Sequence, residues 1–140
     1  MKERLIRDHM TKNPVTISPH ATLPDAHALM KEYSVRRLPV VDSHGKLVGI
    51  ISQTDVREAQ PSDATSLSIY ELNYLLAKLT IERIMTKDVL TVAPEDQVSK
   101  AAQLMLERKI GGIPVTDPEG KLVGIITESD IFRLVVEMYA

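Results

Sequence analysis

No cysteine and no tryptophan occur in this sequence, phenylalanine occurs once and tyrosine four times. The missing thiols exclude disulfides, thiolate metal sites and cysteine nucleophiles together. So few aromatic rings argue against a stacking platform for single-stranded nucleic acid. Charge of one sign is also lacking: the formal net charge is −2, with acids and bases interspersed. Such a chain carries no strong field toward nucleic acid or membrane. Long hydrophobic runs are missing as well. Leu47-Val48-Gly49-Ile50-Ile51 is among the longest and is far short of a bilayer span. No apolar stretch follows Met1-Lys2-Glu3-Arg4, so a secretory signal is not expected, and a soluble cytoplasmic protein is. The histidines are His9, His20, His27 and His44, and no two stand at the i, i+4 spacing of a zinc pair. No phosphate-cradling glycine loop, dinucleotide motif or supported Ser/His/Asp arrangement occurs. A metal, a required cofactor and catalysis are therefore not expected.

What is present is a duplication. Met10-Thr11-Lys12 returns as Met85-Thr86-Lys87, Leu29-Met30 as Leu104-Met105, and Pro39-Val40 as Pro114-Val115. Gly45-Lys46-Leu47-Val48-Gly49-Ile50-Ile51 returns intact as Gly120-Lys121-Leu122-Val123-Gly124-Ile125-Ile126, and Asp55 as Asp130. Every pair is separated by the same 75 positions. A fixed offset over seven consecutive identities marks an internal repeat rather than shared composition.

Each copy reads as β-α-β-β-α, an α/β (α+β) organisation. Val15-Thr16-Ile17 and Leu90-Thr91-Val92 are predicted first strands. Leu23, Ala26, Leu29 and Met30, matched by Val98, Ala101, Ala102 and Met105, share one helical face. Leu38–Val41 and Ile113–Thr116 are predicted second strands, and their prolines imply an edge or early strand position. Asp42-Ser43-His44-Gly45 and Asp117-Pro118-Glu119-Gly120 carry type I turn chemistry, Asp first and Gly fourth. Leu47–Ser52 and Leu122–Thr127 are apolar on both faces, which predicts central strands covered by helices. Closing helices are expected from near Thr54 and Ser129, the second with a buried stripe of Ile131, Leu134, Val135 and Met138.

The copies thus occupy residues 1–60 and 80–140, with a linker at 61–79. Pro61-Ser62-Asp63 breaks the chain, and Ser68-Ile69-Tyr70-Glu71 has the spacing of a capping box. Leu72, Leu75, Leu76 and Leu79 then suggest a short amphipathic helix, either a strap holding the copies or a docking surface for a partner protein.

The early Met-Thr, the apolar-Pro-Val strand, the Gly-Lys-Leu-Val-Gly hairpin and the Gly-x-x-Ser/Thr-x-x-Asp ending, each present twice, resemble the CBS-domain family. The likeness extends over residues 5–59 and 80–138, as in a tandem CBS pair, or Bateman module. The stretch Ala64-Thr65-Ser66-Leu67-Ser68 into Glu71-Leu72-Asn73-Tyr74-Leu75-Leu76 looks like the linker of acetoin-utilisation-type members. The resemblance implies two repeats related by pseudo-two-fold symmetry. It implies a cleft for an adenosyl ligand (AMP, ADP, ATP or S-adenosylmethionine), a regulatory role, and often a disc-shaped homodimer.

Carried onto this sequence, the resemblance assigns the ligand's ribose diol to Asp55 and Asp130, three residues after Ser52 and Thr127. An ionised carboxylate is acceptor-only and can take both hydroxyls. The same Ser/Thr-x-x-Asp also fits an ordinary helix N-terminus, where acids are favoured. Ser52 and Thr127, with Thr54 and Ser129 beside them, stand where strand becomes helix, so a hydroxyl there either caps the helix or meets a ribose or phosphate oxygen. Gly49 and Gly124 allow close backbone approach. Thr16 and Thr91 lie on first strands, where the family contacts the base. Leu38 and Pro39, with Ile113 and Pro114, are either apolar walls for an adenine face or core; Val35 and Ile110 belong with them. Arg36-Arg37 in the first copy corresponds to Gly111-Gly112 in the second. Arginine suits phosphate by its fixed, always-charged fork, so two unequal sites are expected unless these are plain surface arginines. The other reading of the whole is an interaction module, a CBS dimer with vestigial clefts.

Overall fold

Glycine and methionine set the arrangement of each half of this protein. A computed structural model describes residues 3–60 and 67–140. The linker residues Pro61-Ser62-Asp63 and Ala64-Thr65-Ser66, used above, lie outside the described residues. The elements run β1 (Thr11–Lys12), α1 (Leu23–Tyr33), β2 (Arg37–Val41), β3 (Leu47–Ser52), α2 (Gln53–Ala59), α3 (Ile69–Lys78), α4 (Ile81–Ile84), α5 (Val98–Arg108), β4 (Gly112–Thr116), β5 (Leu122–Thr127) and α6 (Glu128–Met138).

Two compact units form, and they do not follow the repeats along the chain. One takes in the chain up to Pro14, Gly45–Leu47 and Leu90–Ala140; the other takes in Val15–His44 and Val48–Val89. In the first unit β5 is central, flanked by β4 and by β1, with Thr11 opposite Ile125 and Lys12 opposite Gly124. A Cβ on Gly124 would stand 2.9 Å from the Thr11 carbonyl oxygen and against the Met10 sulfur. In the second unit β3 pairs with β2, and Ile50 bridges Thr86 through reciprocal backbone bonds of 3.0 and 2.9 Å. A Cβ on Gly49 would collide with the Met85 side chain and come within 3.0 Å of the Thr86 carbonyl. The Met-Thr of each copy therefore lies against the glycine of the other copy's third strand. The close approach that Gly49 and Gly124 allow is made by the chain itself.

The cores obey the same exchange. One buries Ile6, Val92, Val98, Ala101, Met105, Ile113, Val115, Ile126 and Leu134. The other buries Ile17, Leu23, Ala26, Met30, Leu38, Val40, Ile51, Val56 and Ile81. Eight positions correspond at the 75-residue offset, among them Ile6 and Ile81, each seated in the core of the other copy. A large aliphatic side chain so enclosed contributes about 1.5–3 kcal/mol.

The expected first strands shrink to single parallel bridges, Ile17 with Val40 and Val92 with Val115. Proline accounts for part of this. Pro39 and Pro114 have no N–H to donate, and only their carbonyls serve the neighbours, accepting Ile17 N–H and Val92 N–H at 3.1 Å each. The hairpins turn as expected. The Asp117 carbonyl accepts Gly120 N–H at 3.0 Å, and Gly45 and Gly120 take φ of 81° and 85°, the left-handed region glycine tolerates best. The closing helices begin one residue before Thr54 and Ser129. The stripe on α6 is narrower than expected: Leu134 is buried and Ile131 partly so, while Val135 and Met138 are exposed. The helix is amphipathic, but its apolar arc is wider than the core it covers. Among the described residues no helix is long and apolar enough to cross a membrane.

Gly124→Ala is expected to destabilise the protein by about 1–3 kcal/mol through overpacking against Met10 and Thr11. Gly45→Ala, whose Cβ meets nothing within 4 Å, should cost less, about 1 kcal/mol of left-handed strain. Urea unfolding of the two variants checks the order. A second test uses Asp96, whose carboxylate accepts Ala93 N–H at 2.9 Å and Lys100 Nζ at 3.2 Å. The backbone bond first, then Lys100, hold its pKa below the ordinary 3.8 against opposing desolvation. A lowered folded-state pKa gives stability that is present above the unfolded value and lost as pH falls through the folded one. The melting-temperature advantage of wild type over Asp96→Asn should therefore be full at pH 6 and shrink below about pH 4.

Candidate functional site

The two Gly-x-x-Ser/Thr-x-x-Asp endings fold into the same local device and differ in its details. In the first copy Ser52 is the N-cap of α2. Its hydroxyl accepts Asp55 N–H at 3.1 Å, and Asp55 Oδ2 accepts Ser52 N–H at 2.8 Å, a reciprocal capping box. Asp55 is partly exposed. Among the described residues its Oδ1 accepts no hydrogen bond. The carbonyl of Arg36 accepts Gln53 N–H at 2.7 Å, which ties the strand entrance to the first residue of α2. Arg36 is exposed and Arg37 partly so.

In the second copy Thr127 is the N-cap of α6. Asp130 Oδ2 accepts both Thr127 N–H at 2.8 Å and Thr127 Oγ1–H at 3.1 Å. Asp130 Oδ1 accepts Arg133 Nη1–H at 3.0 Å and Thr11 Oγ1–H at 3.1 Å. Asp130 is 3% exposed. The Gly111 carbonyl accepts Glu128 N–H at 3.0 Å, as Arg36 does for Gln53, so the glycine pair takes the place of the arginines.

The remaining expected residues divide clearly. Thr54 and Ser129 are exposed in the first turns of α2 and α6, Thr91 is exposed and Thr16 partly so. Leu38, Pro39, Ile113 and Pro114 are fully buried, Leu38 and Ile113 within the two cores. Consecutive residues of each second strand are buried, so both faces of these strands are covered. Arg133 escaped the sequence reading altogether, although its i+3 spacing from Asp130 against Glu58 after Asp55 was a visible signal. A groove of about 340 Å³ between α1 and α2 is lined by His27, Lys31, Gln53 and Arg57 and by none of the expected ligand residues. Among the described residues no group of three or more histidines and carboxylates could hold a metal ion.

Residues 6–62 and 81–137 each match the model of the CBS domain. The chain belongs to the CBS-domain family, as a tandem pair. An L-aspartate semialdehyde sulfurtransferase of Methanocaldococcus jannaschii is 35% identical over 93% of this chain but over 23% of its own length. An uncharacterised protein of the same organism is 35% identical, with 47% of its length matched. The chain thus spans less than half the length of these two curated relatives. Among solved structures, the CBS domain pair of protein MJ0100 in complex with 5′-methylthioadenosine and S-adenosyl-L-methionine has a TM-score of 0.80 at 33% identity, covering 98% of this chain and 99% of that one. CBSX2 in complex with AMP scores 0.82 at 31% identity, covering 98% and 99%; that protein is from Arabidopsis thaliana. A Vibrio cholerae protein named for acetoin utilization (AcuB) scores 0.83 at 34% identity, covering 99% and 94%. The last agrees with the likeness seen in the linker.

The two aspartates are expected to differ in their structural weight. Asp130→Ala removes four hydrogen bonds from a buried carboxylate and should destabilise by about 2–4 kcal/mol. Asp55→Ala breaks one capping box and should cost about 1 kcal/mol. Thermal unfolding of the two variants at pH 7 checks the difference.

Proposed function

We propose that this chain is a regulatory ligand-binding module that takes an adenosyl compound of the AMP, ADP, ATP or S-adenosylmethionine class and performs no catalysis itself. The observation that carries the reading is Asp55: a partly exposed carboxylate fixed by its own helix start, with one oxygen committed and the other unengaged among the described residues. That oxygen is an acceptor for a ribose hydroxyl, a charge-assisted bond worth about 1.5–3 kcal/mol. The solved CBS pairs in complex with AMP, and with 5′-methylthioadenosine and S-adenosylmethionine, support the ligand class. Arg36 supplies a cation beside the same helix start for a phosphate, with Ser52 and Thr54 as hydroxyl partners and Thr16 toward the base. Thr91, Thr127, Ser129 and Asp130 hold the equivalent positions of the second copy, where both oxygens of the aspartate are already engaged by its own chain.

A relative that is an enzyme by name is matched over 23% of its length, which favours a regulatory segment over a catalytic one. A homodimer is proposed on the apolar outer face of α6, where Phe132 is 63% and Val136 66% exposed. The balanced surface charge suits a cytoplasmic setting. A second reading, an interaction module, is favoured by α3. That helix buries no residue, and it leaves Tyr70 and Tyr74 exposed. The Ser68 cap on Glu71 N–H, at 3.2 Å, holds it in place.

Titration of the pure protein with AMP, ADP, ATP and S-adenosylmethionine under thermal unfolding tests the first reading. A ligand at 100 times its Kd adds about 2.7 kcal/mol, a rise of several degrees for a domain of this size, and Asp55→Ala should remove it. No rise with any of the four would reject the adenosyl reading. Partner capture abolished by Tyr70→Glu and Tyr74→Glu would then support the second.

A further inference from the structure

Asp130 has no acceptor capacity left. An ionised carboxylate offers about four lone-pair positions, and Thr127 N–H, Thr127 Oγ1–H, Arg133 Nη1–H and Thr11 Oγ1–H fill them, at 2.8 to 3.1 Å. The residue is 3% exposed. Asp55, at the same place in the other copy, accepts Ser52 N–H on Oδ2. Among the described residues Thr86, the counterpart of Thr11, donates nothing to it, and the counterpart of Arg133 is Glu58. Both Arg133 and Glu58 are exposed. One is a cation that reaches back one helical turn to its aspartate; the other is an anion that cannot donate.

We propose that Arg133, with Thr11, closes the second aspartate to ligand, so that the tandem pair binds one adenosyl molecule per chain, at Asp55. This rests on the proposed function and adds to it a residue that decides which copy works. Arg133 acts here as a blocking group: it touches the carboxylate, not the ligand. Its side chain is 65% exposed, while that of Asp130 is 2% exposed. The block is therefore a surface arm over a buried acceptor, and truncating the arm leaves the core intact.

Calorimetric titration with AMP and with S-adenosylmethionine tests this on the full chain. Wild type should bind one equivalent. Asp55→Ala should weaken binding at least tenfold, and Asp130→Ala should leave affinity within about threefold of wild type. Arg133→Ala should bind a second equivalent. The double variant Asp55→Ala/Arg133→Ala should recover binding through Asp130, and Asp55→Ala/Arg133→Lys, which keeps the cation, should recover less. Circular dichroism and melting confirm that each variant is folded. Should Asp130→Ala unfold the protein, the double variant still decides the question, since it keeps Asp130. Two equivalents bound by wild type, a loss at Asp130→Ala equal to that at Asp55→Ala, or no recovery in the folded double variant overturns the block while leaving the adenosyl reading intact. No binding of either compound by wild type overturns both.

Discussion

The strand edge occupied by each Met-Thr segment is the constraint on which the rest of this structure depends. A backbone can lie that close to β3 or β5 only where the opposing residue has no side chain, and Gly49 and Gly124 supply that space. Once Thr11 and Lys12 are paired with Ile125 and Gly124, Ile6 is drawn into the core with Val92, Val98 and Ile113. The bridge of Thr86 to Ile50 carries Ile81 likewise into the other core. Each unit is completed by a segment that precedes the other copy in sequence, so neither copy alone contains a full core. That is a structural reason for the repeats to occur as a pair.

The same pairing reaches the candidate site. Thr11 is the residue laid on β5, and from there its hydroxyl bonds Asp130 at the start of α6. A residue far away in sequence thereby becomes part of the second aspartate's surroundings. The capping box ties the other end: the helix start requires a carboxylate three residues after the Ser or Thr to accept a backbone N–H. An aspartate so held is both a helix-stabilising group and a pre-oriented acceptor, and whether it is available to a ligand depends on its second oxygen.

Much of this was legible from the residues. The fixed offset gave the two copies, the period-2 and period-3.6 patterns gave their elements, and Asp and Gly at first and fourth place gave the hairpin turns. Four things were not. The exchange of Met-Thr segments cannot be read from identities, because an offset says which residues correspond and not which ones touch. The first strands were overestimated because a pattern of apolar residues does not reveal that the neighbouring strand has a proline in place of a donor. Leu38 and Ile113 can wall a pocket or fill a core by composition alone, and only the structure shows that both are fully buried. The width of the stripe on α6 misled in the opposite direction, since apolar residues at helical spacing need not all face the same core.

Divergence between the copies is concentrated outside the seven-residue identity, and that is where their chemistry differs. Arg36 and Arg37 stand against Gly111 and Gly112, and Glu58 against Arg133. Both differences act at the start of the closing helix, and both have the same direction. The first copy has an arginine pair at the strand entrance and an anion three residues past its aspartate. The second has lost that pair and gained a cation that satisfies the aspartate internally. Like charges at i, i+3 on a helix are mildly destabilising, so under the proposed function hydroxyl donors from a ligand would relieve the Asp55–Glu58 pair. Asp130, already saturated by its own chain, gains nothing. A duplication that kept its backbone device unchanged could thus divide the work by side chains alone, one copy keeping an open acceptor and the other turning the same carboxylate into a structural knot.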